Sequence, residues 1–169
     1  MQISYVPQDI FLFSETVRNN IRFGIDDARD EDVINAAKQA SIHTEIENFQ
    51  MGYETMIGER GVTLSGGQKQ RISIARALIK DPRIVIFDDC LSAVDARTEK
   101  EIIGNLYQFL RDKTAIIITH RIFSLFEFDK IIVLDDGKIV EQGTHQKLLE
   151  LNGYYADMYN RQQEQDKET

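Results

Sequence analysis

Two stretches, IVIF at 84–87 and AIII at 115–118, are apolar at every position. A strand with one wet face alternates apolar and polar residues, so a strand without alternation is buried on both faces. Sheets of that kind lie between layers of helix and are parallel. The chain is therefore predicted to be an α/β protein, and its second half fits. Pro82 breaks the chain before the strand at 84–87. Asp95 caps a helix running to about Leu110, with Ile102, Ile103, Leu106, Tyr107 and Leu110 facing inward. TAIIIT (114–119) is a second buried strand and HRIFSLFEF a short helix. KIIVL (130–134) and KIVEQG (138–143) are two further strands linked by the turn Asp135, Asp136, Gly137. Thr144 caps a helix through Leu151, and YYADMYNRQQEQ closes the chain as a fraying polar tail.

The first half reads differently. QISYV (2–6) is a short strand stopped by Pro7. Ser14 caps a short helix carrying Val17 and Ile21, which Gly24 ends. DARDEDVINAAKQASI places Val33, Ala37 and Ala40 at helical spacing behind an acidic first turn, so it is a second helix. IHTEIENF is a third, and YETMIGERGVT a glycine-punctuated loop. Ser65 then precedes a helix over GGQKQRISIARALI, with Ile72, Ala75 and Leu78 on one face.

Composition narrows the function. The 169 residues suit one domain. A net charge of -8 with scattered Lys and Arg argues against a nucleic-acid binder. The single cysteine, Cys90, excludes an internal disulfide and a Cys-rich metal site. No apolar run reaches the length of about 18 residues that a membrane span needs. MQISYVPQ lacks the basic start and apolar stretch of a signal peptide, and it opens inside a predicted strand, as a fragment would.

Asp88 and Asp89 follow IVIF directly. Ligands of open α/β sheets bind beyond the carboxyl ends of the strands. One aspartate there could simply cap the next turn. Two adjacent carboxylates repel unless a cation lies between them or they point apart. The economical reading is that Asp88 serves Mg²⁺ through water, as such carboxylates do in phosphate-binding ATPases, while Asp89 faces an attacking water. His120 leaves the next buried strand at the same edge. A histidine there can sense a terminal phosphate and orient water; a helix cap or a surface histidine is the plainer alternative. His43 and His145 have no such setting and read as surface residues on helices.

LSGGQKQR (64–71) is the other marked stretch. Ser65 is an N-cap, and Gly66 and Gly67 bare the backbone N–H groups of a helix start, which is an anion site. An ordinary capped helix would not favour two glycines. At this point the sequence closely resembles the nucleotide-binding domain of ABC transporters, of the exporter type. The resemblance covers nearly the whole chain, with the motifs in order. Gln8 in YVPQD matches the Q-loop glutamine, which implies a link between Mg²⁺ and the membrane part. FLFSETVRNNI looks like the exporter helical subdomain. GERG (58–61), with Glu59, matches the loop that touches the coupling helices. Leu64, Ser65, Gly66, Gly67 and Gln68 match the signature motif, and RIVIFDD matches Walker B with Asp88 on the metal. SAVD (92–95), with Asp95, matches the D-loop, and His120 the switch histidine.

The resemblance implies a partial P-loop NTPase (RecA-like) parallel-sheet core with an inserted, mostly helical signature subdomain. Residues 1–12 would be the Q-loop strand, 13–79 the helical subdomain and 80–169 the α/β core from Walker B onward. It implies ATP and Mg²⁺ as ligands. The implied partners are a second nucleotide-binding domain and transmembrane domains reached through coupling helices, at the cytoplasmic face of a cell membrane. The implied function is the motor of an exporter; a non-transport ATPase of the same superfamily, in DNA repair or translation, is the alternative. Two departures stand out. There is no phosphate loop GxxxxGK[ST] in these residues, so the chain alone is expected to hydrolyse ATP negligibly and to leave a sheet edge and core face uncovered. The family's usual glutamate after Walker B is Asp89 here. Its carboxylate retreats by roughly 1 Å, a displacement that can cost about a hundredfold in rate. A weakened site beside an intact LSGGQ resembles the degenerate half of a heterodimeric exporter; a homodimer with two slow sites remains open.

Overall fold

A computed structural model describes residues 3–58, 61–90, 96–123 and 127–168. It divides into two compact units, the first running to Thr119 and the second from His120 onward.

The first unit is built on a parallel sheet in the order β1 (Ile3–Val6), β2 (Ile84–Asp88), β3 (Thr114–Ile118). Ile3 lies opposite Ile84, and Ile84 opposite Thr114, so Asp88 pairs with Ile118 at the carboxyl end. The parallel α/β expectation thus holds here. Burial on both faces does not. Val6, Val85 and Phe87 are sealed on one face. On the other, Ile3, Tyr5, Ile116 and Ile118 are between 47% and 58% exposed. The strands carry apolar residues on both sides, but among the described residues helices seal only one.

The cover comes from α4 (Gly66–Leu78), whose Ala77 carbonyl accepts a hydrogen bond from Ser4 Oγ at 2.9 Å. Ile72, Ile74, Ala75 and Leu78 are all buried. Around it lie α1 (Val17–Ile21), α2 (Asp30–Gln39), α3 (His43–Glu47) and a 3₁₀ turn at Gly52–Glu54. The cap of α1 is Thr16, whose Oγ1 accepts from the Asn19 N–H, rather than the expected Ser14. Asn20 is wholly buried. Its carboxamide donates to the Phe13 and Thr16 carbonyls and accepts from Phe13 N–H and from Arg76 Nη2 at 2.7 Å. Arg76 also reaches the carbonyls of Asn20 and Phe11 and lies over the Phe13 and Phe23 rings. This network ties the stretch after Gln8 to the last turns of α4. The helix α5 (Ala96–Leu110) buries Ile102, Ile103, Leu106 and Leu110, while Tyr107 faces water, contrary to its predicted inward position.

The second unit holds β4 (Ile131–Asp135) and β5 (Lys138–Gly143), an antiparallel pair of its own and no part of the parallel sheet. The reason is local. Asp136 and Gly137 take φ of 45° and 72°, and two such residues make the tight turn that folds a chain back on itself. Residues 120–123 and 127–128 of the predicted HRIFSLFEF helix are not helical. Two helices follow, α6 (His145–Leu151), capped by Thr144, and α7 (Tyr154–Glu168). The expected fraying tail is helical through Glu168. Its start is held by Glu141, whose carboxylate accepts the Tyr154 and Tyr155 N–H groups. Val133, Leu148 and Tyr155 form the core of this unit.

Candidate functional site

The carboxyl ends of β1 and β2 bring Gln8, Asp88 and Asp89 together. Asp88 is the last residue of β2 and lies on the open face of the sheet, in the same alternation as Ile84 and Ile86. Tyr5, on β1 and the same face, donates its hydroxyl proton to Asp88 Oδ2 at 2.7 Å. That bond to a carboxylate raises the Tyr5 pKa above its ordinary value. Asp89 leaves the strand. Its N–H donates to the Ile118 carbonyl at 2.8 Å, and its backbone turns into the left-handed region at φ 43°. Its Oδ2 accepts from Gln8 Nε2 at 3.3 Å. The adjacent carboxylates thus have separate neighbours, Tyr5 for one and Gln8 for the other. Cys90 comes next and is sealed; burial pushes its thiol up to about 12.

His120 is the second residue after β3 ends at Ile118; it is exposed and opens the second unit. His43 and His145 do sit on helices, but neither is a plain surface residue. Each is half-buried and hydrogen-bonded through Nδ1 to a tyrosine hydroxyl, Tyr53 at 2.8 Å and Tyr155 at 2.7 Å.

The second group of site residues starts α4. Ser65 Oγ accepts from the Gln68 N–H at 3.2 Å, and Gln68 Oε1 accepts from the Ser65 N–H at 2.9 Å. This reciprocal capping box fixes the first turn and uses the Ser65 and Gln68 amides, not those of Gly66 and Gly67. Leu64 is buried beneath it, while Ser65 and Gly66 are exposed. A Cβ built on Gly66 would meet nothing within 4 Å. The chain's own packing therefore does not require glycine there. Ser65 lies about 18 Å along the helix axis from Ala77, the residue that rests on β1. The glycine-led turn opens α4 and the carboxylates end β2, so the two groups of site residues are carried by different elements.

Glu59 of the GERG loop and Asp95 lie outside the described residues. The loop is nonetheless tightly closed at its flanks. Val62 N–H bonds the Met56 carbonyl at 2.9 Å, and a Cβ on Gly61 would fall onto that same carbonyl. Two contacts escaped sequence reasoning. Tyr5 alternates with Val6 in QISYV and could have been placed on the Asp88 face only once the strand register was known. Glu45, described below, gave no signal at all.

Residues 1–92 match the ABC transporter family. The chain belongs to the ABC transporter family. Over 161 residues it is 53% identical to YheI of Bacillus subtilis, a probable multidrug resistance ABC transporter ATP-binding/permease protein, covering 95% of this chain and 28% of that one. It is 49% identical over 162 residues to MdlA of Escherichia coli, a multidrug resistance-like ATP-binding protein, covering 96% of this chain and 28% of the relative. Among solved structures, a bacterial Atm1-family ABC exporter with ATP bound superposes with a TM-score of 0.89 at 45% identity, covering 95% of this chain and 28% of that one. The chain thus spans little more than a quarter of each of these relatives, and its α/β fold is that of an exporter nucleotide-binding domain. No helix among the described residues is long and apolar enough to cross a membrane.

Proposed function

We propose that this chain is part of the ATP-driven motor of an exporter that moves a small molecule or lipid-like compound across a cell membrane. The observation that carries the reading is that one chain bears two sets of ligand-type residues on different elements, β2 and α4. Carboxylates at the end of β2 and an exposed, glycine-led start of a different element, α4, suit a nucleotide held between two domains.

The residues fit the implied ligands. An exposed helix start with bare amides accepts phosphate. No cluster of three acidic, His or Cys ligands occurs among the described residues, so a cation here would keep water and phosphate ligands, as Mg²⁺ does. Mg²⁺ supplies neutralisation of the phosphate charge when bound. Asp88 would hold it through water, with Tyr5 orienting the carboxylate. Gln8 would link this end to the membrane domains and steadies Asp89, which would accept the proton of the attacking water. His120 would orient the terminal phosphate. Leu64, Ser65, Gly66, Gly67 and Gln68, with Asp95, would complete the nucleotide site of a second nucleotide-binding domain. With Asp89 one methylene short, the partner's own site would carry most of the turnover, as in a heterodimeric exporter. Two copies of this chain with two slow sites is the other arrangement.

The test is ATP turnover by the full-length protein carrying Asp89→Glu, alone and with its candidate partner. Restored reach should speed hydrolysis at this site by up to about a hundredfold. An unchanged rate would show that the short carboxylate does not limit the site. The 169-residue chain alone should show negligible turnover, because it contains no phosphate loop.

A further inference from the structure

Glu45 has no part in the roles assigned above, yet it touches the glycine-led turn directly. It lies in α3, and its carboxylate faces the start of α4. Oε2 accepts from Gln68 Nε2 at 3.0 Å, and Oε1 pairs with Arg71 Nη1. Arg71 is 7% exposed and also donates to the carbonyls of Ser41 at 2.9 Å and Gly67 at 3.2 Å. Both ends of the Gln68 carboxamide are therefore engaged, Oε1 by the Ser65 N–H and Nε2 by Glu45.

An amide held this way has one orientation. Turned over, it would set its oxygen against the Glu45 carboxylate and its NH₂ against the Ser65 N–H, two mismatches at once. The charge matters too. Glu45 is an acceptor only, so it selects the NH₂ end of the amide, and Arg71 holds Glu45 in place by a charge-assisted bond.

We propose that Glu45 is a positioning residue. It acts through Gln68, locking the carboxamide in the capping-box orientation that presents the first turn of α4 to nucleotide. The inference rests on the reading of that turn as a nucleotide contact.

The experiment uses the full-length protein assembled with its second nucleotide-binding domain. Glu45→Ala should raise the KM for ATP by about tenfold or more, the size of one lost hydrogen bond to a charged group, with a smaller change in kcat. Glu45→Gln keeps a carbonyl acceptor and should recover most of the KM; it also serves should the alanine variant fail to fold. On a Gln68→Ala background, Glu45→Ala should add nothing, because the amide it acts through is gone. A full additive effect on that background would overturn the proposal in favour of a packing role, and so would an unchanged KM in Glu45→Ala. If Gln68→Ala alone leaves KM unchanged, the nucleotide reading of the turn fails and takes the positioning role with it.

Discussion

Asp89 occupies a backbone position that narrows the choice of side chain. At φ 43° an L-residue is in the left-handed region, where Asp, Asn and Gly are the least strained. A glutamate at this position gains reach and loses the short side chain that tolerates the turn. Asp89→Glu should therefore lower stability by about 1 kcal/mol or less while accelerating hydrolysis, read as a fall in the denaturation midpoint of the full-length protein beside its rate. Cys90, the next residue, makes an independent check on the same corner. It is 1% exposed and its thiol is pushed up to about 12, so at pH 8 it should resist alkylation until the protein unfolds. Rapid labelling of the native protein would place Cys90 at the surface and contradict the burial of this strand exit.

The helix α4 was readable in advance because its signals are local: a serine cap, a glycine pair and apolar residues at Ile72, Ala75 and Leu78. The strands at 84–88 and 114–118 were readable for the same reason, as unbroken apolar runs ended by polar residues. What could not be read was partnership. Tyr5 and Asp88 are 83 positions apart, and Glu45 and Gln68 are 23 apart. Neither separation leaves a trace in periodicity. The antiparallel return of β4 and β5 did leave one, in Asp136 and Gly137, but apolar strands alone do not say which sheet they join. For α4 itself the open space around Gly66 permits a sharp test. Gly66→Ala should leave the fold as stable or raise its stability by up to about 1 kcal/mol, since alanine is the better helix former and meets no neighbour. Nucleotide-dependent association of the two domains should nonetheless weaken, if that space is where a ligand comes close. A variant that is more stable and associates normally would remove the ligand as the reason for glycine.

The first unit makes a one-sided sheet among the described residues. The covered face is well sealed by α4, yet Ile3, Tyr5, Ile116 and Ile118 line the other face half in water. Contiguous apolar patches of this sort are uncommon on monomers and mark surfaces that something else covers. Among the described residues β3 is an outer strand of the sheet, paired on one side by β2, and such an edge is a template for pairing with another chain. The second unit repeats the theme, with Leu134 at 68% and Ile139 at 57% exposure on its hairpin. These surfaces should dominate how the 169-residue chain behaves when purified by itself. It should bind a hydrophobic dye and associate as its concentration rises, which light scattering would record. Ile116→Lys separates this surface from general instability. A side chain already half exposed loses little burial on replacement, and a lysine on an outer strand opposes edge pairing, so the substitution should reduce association while leaving the unfolding midpoint nearly unchanged. A chain that stays monomeric at high concentration and ignores the dye would mean that the open face closes in solution by a rearrangement of the sheet's surroundings.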